Sequence, residues 1–244
     1  MRGADRPITG PMAPSPTRQL AATLGFAMLA TVAVVRAGQA FDHLAGSTTA
    51  AAAATAGYRG CIAVVLGVVT AATIRRPPPR KESDSTVAYV AAAVAVGGLV
   101  FLSGGRGQTS DVAIGGLAIA TFAAIWTIVS VAALGRCFGL LPEARGLVTR
   151  GPYGIVRHPV YLGEIAAIGG LTIAAPTARN VVVLAMFVCA QTIRMRFEED
   201  ALRDAYPEYV RYQQRTPRLL PRVARPPRAA VSPERVLRSD GSGG

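Results

Sequence analysis

Repeated apolar stretches of membrane-spanning length constrain the fold of this chain more than any other feature. A helix needs about 20 apolar residues to cross the hydrocarbon core of a bilayer. Six stretches approach that length, although the last two are short, and they lie near residues 19–35, 55–74, 87–103, 112–134, 159–175 and 177–193. In lipid every backbone polar group needs a partner inside the protein, so we expect each stretch to be a helix.

The composition supports the same fold class. Charged residues make up only 16% of the chain, whereas soluble domains carry about 25%. We therefore expect an all-α integral membrane protein with about six transmembrane helices. The last two should form a tight helical hairpin, and a cytoplasmic helix should follow them.

The distribution of basic residues predicts how these helices are oriented. Six crossings put both termini on one side, and 22 of the 26 Lys and Arg residues then lie on that side. The other four are Arg36, Arg59, Arg106 and Arg179. By the positive-inside rule this side is the cytoplasm, so both termini should lie inside a plasma (inner) membrane. The split also explains the net charge of +12 without a nucleic-acid partner.

The chain divides into four predicted segments. Residues 1–17 and 222–244 are polar tails that we expect to be disordered. Residues 18–134 hold four membrane helices, and residues 135–221 hold a polar loop, the helical hairpin and a C-terminal helix. An alternative for the first apolar stretch is a signal peptide with a cleavage site at "RAGQA", residues 36–40.

Two other patterns in the sequence do not indicate a site. Cys61, Cys137 and Cys189 are far apart, so we expect packing residues instead of a disulfide framework or a zinc site. No metal is implied. The glycine-rich segment 104–116 lacks both a preceding strand and the spacing of a phosphate-binding loop.

The sequence "LVTRGPYGIVRHPVYLG", residues 147–163, places polar residues between two apolar stretches. Pro159 suits the first turn of a helix, and the residue before a proline avoids helical geometry. His158 should therefore stand just outside the fifth membrane helix, whose N-terminus can bind an anion. Tyr161 and Glu164 follow within its first two turns.

The hairpin should bring a second polar stretch to the same place. Counted from Pro176, His158 lies eighteen residues back and Arg194 eighteen residues forward. Each limb spans roughly 25 Å, so the two residues should return to nearly the same depth at the inner membrane surface.

Periodicity also predicts which residues of the second stretch act together. Arg194 and Glu198 are four residues apart, so they share a helix face. Arg196 and Glu199 should point elsewhere. An ion pair with no further role is the alternative for Arg194 and Glu198. A charged residue near membrane depth is nevertheless a functional candidate.

The segments "LVTRGPYGIVRHPVYLG", "RMRFEEDAL" and "YPEYVRYQQRTPRLLP" together resemble the isoprenylcysteine carboxyl methyltransferase and phospholipid methyltransferase superfamily. The resemblance covers about residues 130–221. It implies an integral membrane enzyme that transfers a methyl group from S-adenosylmethionine to a lipophilic or membrane-embedded acceptor. We expect a carboxylate acceptor, because it needs no general base.

The resemblance also implies site residues. The residues implied to bind the cofactor are Arg145, Gly146, Leu147, Val148, Tyr153, His158, Pro159, Tyr161 and Glu198. Arg194 is placed near the methyl acceptor, so Arg194 and Glu198 are the candidate catalytic residues. The carboxylate of the cofactor suits the helix N-terminus, and its cationic groups suit Glu198.

Two alternatives stay open at this point. Glu164 gives "HPVYLGE", which also resembles membrane steroid-reductase-like proteins that use NADPH. The alternative activity is therefore reduction of an unsaturated lipid or steroid-like substrate. A non-catalytic membrane protein with a degenerate site is the second alternative.

The predicted orientation can be tested by cysteine accessibility. A cysteine added at either terminus should react with a membrane-impermeant maleimide only after the cells are opened, because the basic side is expected to face the cytoplasm. The same protein without the added cysteine is the control. Labelling of either terminus on intact cells would contradict the six-crossing topology.

Overall fold

The structure of the protein, a computed structural model, describes most of the chain from the first apolar stretch onward. The described residues are 16–47, 49–75, 81–82, 87, 90–91, 110–137, 143–144 and 146–221. The predicted tails lie outside them, except for residues 16–17, which already belong to the first helix. All but three residues of the third apolar stretch, 87–103, lie outside them as well.

Helices account for most of the described residues, which confirms the all-α fold. They are α1 (Pro16–Gly46), α2 (Ala50–Arg75), α3 (Asp111–Leu134), α4 (Pro152–Ile155), α5 (Pro159–Ala174), α6 (Ala178–Ala205) and α7 (Tyr209–Arg215). A 3-10 turn follows α3 at Gly135–Cys137. Within the described ranges, strand pairing is limited to β1 (Lys81–Glu82), which runs antiparallel to β2 (Glu143–Ala144).

Four of the described helices, α1, α2, α3 and α6, are long and apolar enough to cross a membrane. Helix α5 is apolar but has only 16 residues. Its length of roughly 24 Å is less than the ~30 Å thickness of a hydrocarbon core. Five of the six predicted membrane helices thus have counterparts in the described part of the chain.

The hairpin between α5 and α6 closes through a capped turn at residues 175–177. The side chain of Thr177 accepts a hydrogen bond from the backbone N–H of Asn180 at 3.1 Å. The buried Asn180 amide donates to the carbonyl of Ala175 at 2.8 Å. These bonds satisfy backbone groups that a helix end would otherwise leave unpaired. The predicted hairpin is confirmed.

Helix α5 makes its closest backbone contact with α3 and not with its hairpin partner. Gly116 and Ala120 on α3 face Gly170 and Ala174 on α5. A Cβ atom placed on Gly116 would lie 2.5 Å from the Ala174 nitrogen, and one on Gly170 would lie 2.6 Å from the Gly116 oxygen. Small residues at such a seam let membrane helices pack backbone against backbone.

Larger side chains join α5 to α6. From the turn outward, the facing pairs are Ile168 with Phe187, Glu164 with Gln191, Tyr161 with Arg194, and His158 with Glu199. Arg194 therefore lies about one helical turn deeper than His158. The sequence analysis had placed the two residues at nearly the same depth. The prediction counted from Pro176, whereas the first three pairs centre between Thr177 and Ala178 and the last centres one residue later, because α6 begins only at Ala178.

The glycine seam gives a test of the α3–α5 packing. Gly170→Ala should lower the free energy of unfolding by about 1–3 kcal/mol, because the added methyl group has no room at the seam. Thermal unfolding of the detergent-solubilised protein would measure the change. Gly169→Ala is the matched control, since a Cβ there has no atom within 4 Å. Equal melting temperatures for the two variants would contradict the packing described above.

Candidate active site at the start of helix α5

The polar junction before α5 is held against α3. Gly151 opens this junction with a φ of +61°, a left-handed conformation that glycine adopts without a steric penalty. Pro159 is the first residue of α5, and the Trp126 indole on α3 donates to its carbonyl at 2.9 Å. The start of α5 is therefore fixed by its own proline and by a neighbouring helix.

His158 stands immediately before α5, as predicted. Its ring is buried, and its Nε2 atom lies 3.0 Å from Oε1 of Glu199. The ring also meets the Tyr161 ring edge to face, with the centroids 5.4 Å apart. An ionised carboxylate only accepts hydrogen bonds, so Nε2 carries the proton in this contact. Glu199 thereby orients the imidazole.

Glu199 is the centre of a buried charged cluster. Its side chain is 0% exposed and lies between Arg157, His158 and Arg218. Arg157 Nη1 lies 2.9 Å from Oε1, and Arg218 Nε donates to Oε1 at 3.1 Å while Nη2 donates to Oε2. As predicted, Glu199 does not share the face of Arg194 and Glu198. The sequence did not predict what the face of Glu199 contacts. Glu199 occupies the face of α6 that meets the start of α5, where two guanidinium groups compensate its buried charge.

The segment after α7 completes this cluster. The backbone N–H of Arg157 donates to the carbonyl of Pro217 at 2.8 Å, and that of His158 donates to the carbonyl of Arg218 at 3.1 Å. Glu199 accepts hydrogen bonds from the Arg218 side chain, and these bonds raise the pKa of the Arg218 guanidinium above the usual arginine value. The chain beyond α7 therefore returns to the start of α5 and is anchored there.

Sequence reasoning missed Arg157, Glu199 and Arg218 as parts of the site. One available signal was that His158 and Thr216 both precede prolines, which favours extended backbone in each segment. Two extended segments can exchange backbone hydrogen bonds. Nothing in the sequence pattern indicated that these two would pair.

Tyr161 contacts both Glu198, the candidate cofactor residue, and Arg194, the candidate acceptor residue. Its hydroxyl donates to Oε2 of Glu198 at 2.7 Å, and its ring centroid lies 5.1 Å from the guanidinium carbon of Arg194. Arg194 is buried, while Glu198 is half-buried. The predicted common face of Arg194 and Glu198 is confirmed, since both side chains reach the same tyrosine.

Gln191 joins Arg194 to a second carboxylate deeper in the hairpin. The Gln191 side chain is fully buried, accepts from Nη1 of Arg194 at 2.7 Å, and donates through Nε2 to Glu164. Glu164 is one helical turn below Tyr161 on α5. These contacts form a continuous polar chain from Glu164 through Gln191, Arg194 and Tyr161 to Glu198.

The remaining predicted cofactor residues surround this chain or lie outside the described residues. Tyr153 is buried on α4, and burial together with the negative charge of Glu198 raises its pKa well above the usual value. Its carbonyl accepts a hydrogen bond from the Tyr212 hydroxyl at 2.6 Å. Burial raises the pKa of Tyr212 to about 12, so both phenols stay protonated at neutral pH.

The loop before α4 is described from Gly146 onward, so Arg145 lies outside the described residues. Gly146 sits directly against the sulfur of Cys137, which leaves no room for a side chain. Leu147 packs against the buried cluster of Ala201, Tyr206 and Tyr209, and Val148 is half-buried. The loop is thereby packed against the C-terminal end of α6.

The site separates charge into two groups. Around Glu199, two guanidinium groups face one carboxylate. Toward the membrane, Glu164 and Glu198 face the single guanidinium of Arg194. If all of these groups are ionised, the membrane-side group has one excess negative charge. Among the described residues only Tyr161 donates to Glu198, through Oε2, so its Oε1 can accept from a cationic ligand.

Metal ligands do not cluster in the part of the chain that the structure describes. No group of three or more His, Cys, Asp or Glu side chains there could hold a metal ion. The carboxylates described above instead contact Tyr, Gln, His and Arg side chains.

Comparison with known proteins identifies a family that is similar to the region holding these residues. Residues 111–209, from the first residue of α3 to the first residue of α7, match the phospholipid methyltransferase family. The match covers less than half of the chain, so it shows what this region is similar to. That family lies within the isoprenylcysteine and phospholipid methyltransferase superfamily, so the match favours a membrane methyltransferase.

Two curated relatives match a similar share of the chain. The cobalt-zinc-cadmium resistance protein CzcN of Cupriavidus metallidurans is 32% identical over 110 residues, which are 45% of this chain and 47% of the relative. The nickel-cobalt-cadmium resistance protein NccN of Alcaligenes xylosoxydans is 30% identical over 110 residues, which are 45% of this chain and 48% of the relative. The chain thus spans about half the length of the curated relatives it matches.

The matched region, residues 111–209, includes the polar chain and Glu199, but Arg218 follows its last residue. Glu199 therefore gives a stability test that reaches beyond the matched region. Glu199→Gln should lower the free energy of unfolding by about 3–5 kcal/mol, because the Arg157 guanidinium, which is 10% exposed, and the half-buried Arg218 guanidinium lose their counter-charge.

The melting temperature of the purified protein would measure the effect of Glu199→Gln. Asp200→Asn is the matched control, because Asp200 is exposed in an i,i+3 pair with Arg203, and such surface pairs contribute about 0–1 kcal/mol. A change for Glu199→Gln no larger than that for Asp200→Asn would contradict the role given to the cluster.

Proposed function

We propose that the protein transfers a methyl group from S-adenosylmethionine to a lipophilic, membrane-embedded acceptor, with a carboxylate as the preferred acceptor group. The observation that carries this proposal is the contact between Tyr161 and the half-buried Glu198. It lies inside the region that matches the phospholipid methyltransferase family and beside the buried guanidinium of Arg194.

The residues present fit the charged groups of the methyl donor. S-adenosylmethionine carries an amine and a sulfonium, both cationic, and the membrane-side group of Glu164, Arg194 and Glu198 has one excess negative charge when both carboxylates are ionised. Glu198 would hold a cationic group through Oε1, while Tyr161 keeps its other oxygen in place. Attraction to a fixed carboxylate in a partly buried site exceeds that in water.

The start of α5 suits the carboxylate of the donor. The first N–H groups of a helix have no partner within the helix, and together with the helix dipole they favour an anion. His158 is held beside them by Glu199. Tyr153 and the loop from Arg145 to Val148 would provide the apolar and polar walls of the same binding site.

The donor supplies an activated methyl group when it is bound. The protein then has to align the acceptor with that group and exclude water, since orientation is the main source of rate in such a reaction. A carboxylate nucleophile requires no proton removal. Arg194 would bind an anionic acceptor through the two-pronged geometry of its guanidinium group.

The membrane setting follows from the same residues. Helices α5 and α6 bring the polar chain to one end of the hairpin, and we assign this end to the cytoplasmic face of the plasma (inner) membrane because the basic residues concentrate there. A lipophilic acceptor would reach Arg194 from the bilayer, and S-adenosylmethionine would reach Glu198 from the cytoplasm.

Ligand titration of Glu198→Gln tests the donor site. The wild-type protein should bind S-adenosylhomocysteine and not NADPH. Glu198→Gln should weaken binding of S-adenosylhomocysteine at least tenfold, about 1.4 kcal/mol, because a neutral amide loses the attraction to the cationic amine. Isothermal titration calorimetry on the detergent-purified protein would measure both affinities.

Asp200→Asn again serves as the control, since it removes a nearby exposed carboxylate. The melting temperature of Glu198→Gln without ligand should match that of the wild type. Binding of NADPH in place of S-adenosylhomocysteine would contradict the proposed donor, and unchanged affinity in Glu198→Gln would remove Glu198 from its site.

A further inference from the structure

Arg218 holds His158 through both its backbone and its side chain. The carbonyl of Arg218 accepts a hydrogen bond from the backbone N–H of His158 at 3.1 Å. Its guanidinium donates through Nε to Oε1 of Glu199 at 3.1 Å and through Nη2 to Oε2. The same Oε1 lies 3.0 Å from Nε2 of His158. Arg218 therefore fixes the backbone of His158 directly and the imidazole ring through Glu199.

The two arginines that contact Glu199 contribute to it in different ways. The two-pronged contact of Arg218 engages both oxygens of Glu199, so it fixes the plane of the carboxylate. Nη1 of Arg157 lies 2.9 Å from Oε1, yet it forms no directed hydrogen bond with any described residue. Hydrogen bonds weaken steeply away from linear geometry. Arg157 therefore supplies charge to the cluster, while Arg218 supplies direction.

The direction of Oε1 determines which atom of the His158 ring can meet a ligand. Nε2 carries the proton toward Glu199, so Nδ1 of the neutral ring has a lone pair and can only accept a hydrogen bond. The ring forms no capping hydrogen bond with the first N–H groups at the described start of α5. Nδ1 can therefore accept from a ligand, while those N–H groups can donate to one.

We propose that Arg218 is a positioning residue, which holds His158 so that Nδ1 accepts a hydrogen bond from the ammonium group of the methyl donor. The ammonium and the carboxylate of the donor are bonded to the same carbon atom. A donor carboxylate at the start of α5 therefore brings the ammonium group close to His158. The inference rests on the proposed function, since it assigns a further contact at the same donor site.

The contact with His158 is compatible with the role proposed for Glu198. An ammonium group has three protons, so it can donate to Nδ1 and still be attracted to a carboxylate. His158 and Glu198 both contact Tyr161, the first through the ring and the second through the hydroxyl. Arg218 itself follows the matched region, residues 111–209, and it acts on the donor only through Glu199 and His158.

Arg218→Lys tests the inference, because it keeps the positive charge and the backbone carbonyl but loses the two-pronged contact. The probes are S-adenosylhomocysteine and its deaminated analogue, in which hydrogen replaces the amino group. Both are titrated by calorimetry at about pH 8, where a free imidazole is neutral. Arg218→Lys should weaken binding of S-adenosylhomocysteine about three- to tenfold, the range of one lost hydrogen bond, and should change binding of the deaminated analogue much less. A purely structural role of Arg218 would weaken both ligands alike or lower only the melting temperature.

Arg215→Lys is the matched control, since it makes the same substitution at the exposed last residue of α7. It should leave both affinities within about twofold of the wild-type values. His158→Phe is the second test and should show the same selective loss for S-adenosylhomocysteine. Arg218→Lys added to His158→Phe should cause no further loss, because residues that act through one another are not additive.

Three results would overturn the inference: equal weakening of the two ligands by Arg218→Lys, no weakening of either ligand, or a further selective loss in the double variant. If Arg218→Lys does not fold, His158→Phe decides the question, since equal weakening of both ligands by that variant overturns the inference as well. Failure of the wild-type protein to bind either ligand would instead contradict the proposed function, and the inference would fall with it.

Discussion

The carboxylate of Glu199 joins three parts of the chain that are far apart in sequence, and the geometry of the site depends on it. It contacts Arg157 and His158 at the start of α5 and Arg218 in the segment after α7. A buried carboxylate is stable only with such partners. Its contacts with all three residues orient the His158 ring and anchor the returning C-terminal segment at the same place.

Two adjacent glutamates on α6 consequently have different tasks. Successive residues of a helix point about 100° apart, so Glu199 faces the basic cluster while Glu198 faces Tyr161. The cluster around Glu199 holds excess positive charge, and the membrane-side group holds excess negative charge when both of its carboxylates are ionised. This separation leaves Glu198 able to bind a cation, although several arginines lie nearby.

Much of the fold could be predicted because membrane helices carry strong local signals. The apolar stretches indicated the described membrane helices, and Pro159 indicated the start of α5. The common face of Arg194 and Glu198 followed from helical periodicity. The one-turn difference in depth between His158 and Arg194 could not be predicted, because it depends on where α6 begins after the turn. The α3–α5 seam was also missed, since small residues give no directional signal in an apolar sequence.

The sequence by itself determined which segments become helices, where α5 begins and which residues share a face of α6. Each of these depends on neighbours within a few positions, through proline geometry, hydrophobicity and the helical period. Only the tertiary structure decided that Glu199 meets Arg218, that Gln191 lies between Glu164 and Arg194, and that α5 packs on α3. Periodicity places residues on a common face, but burial of charge and close backbone packing decide what that face contacts.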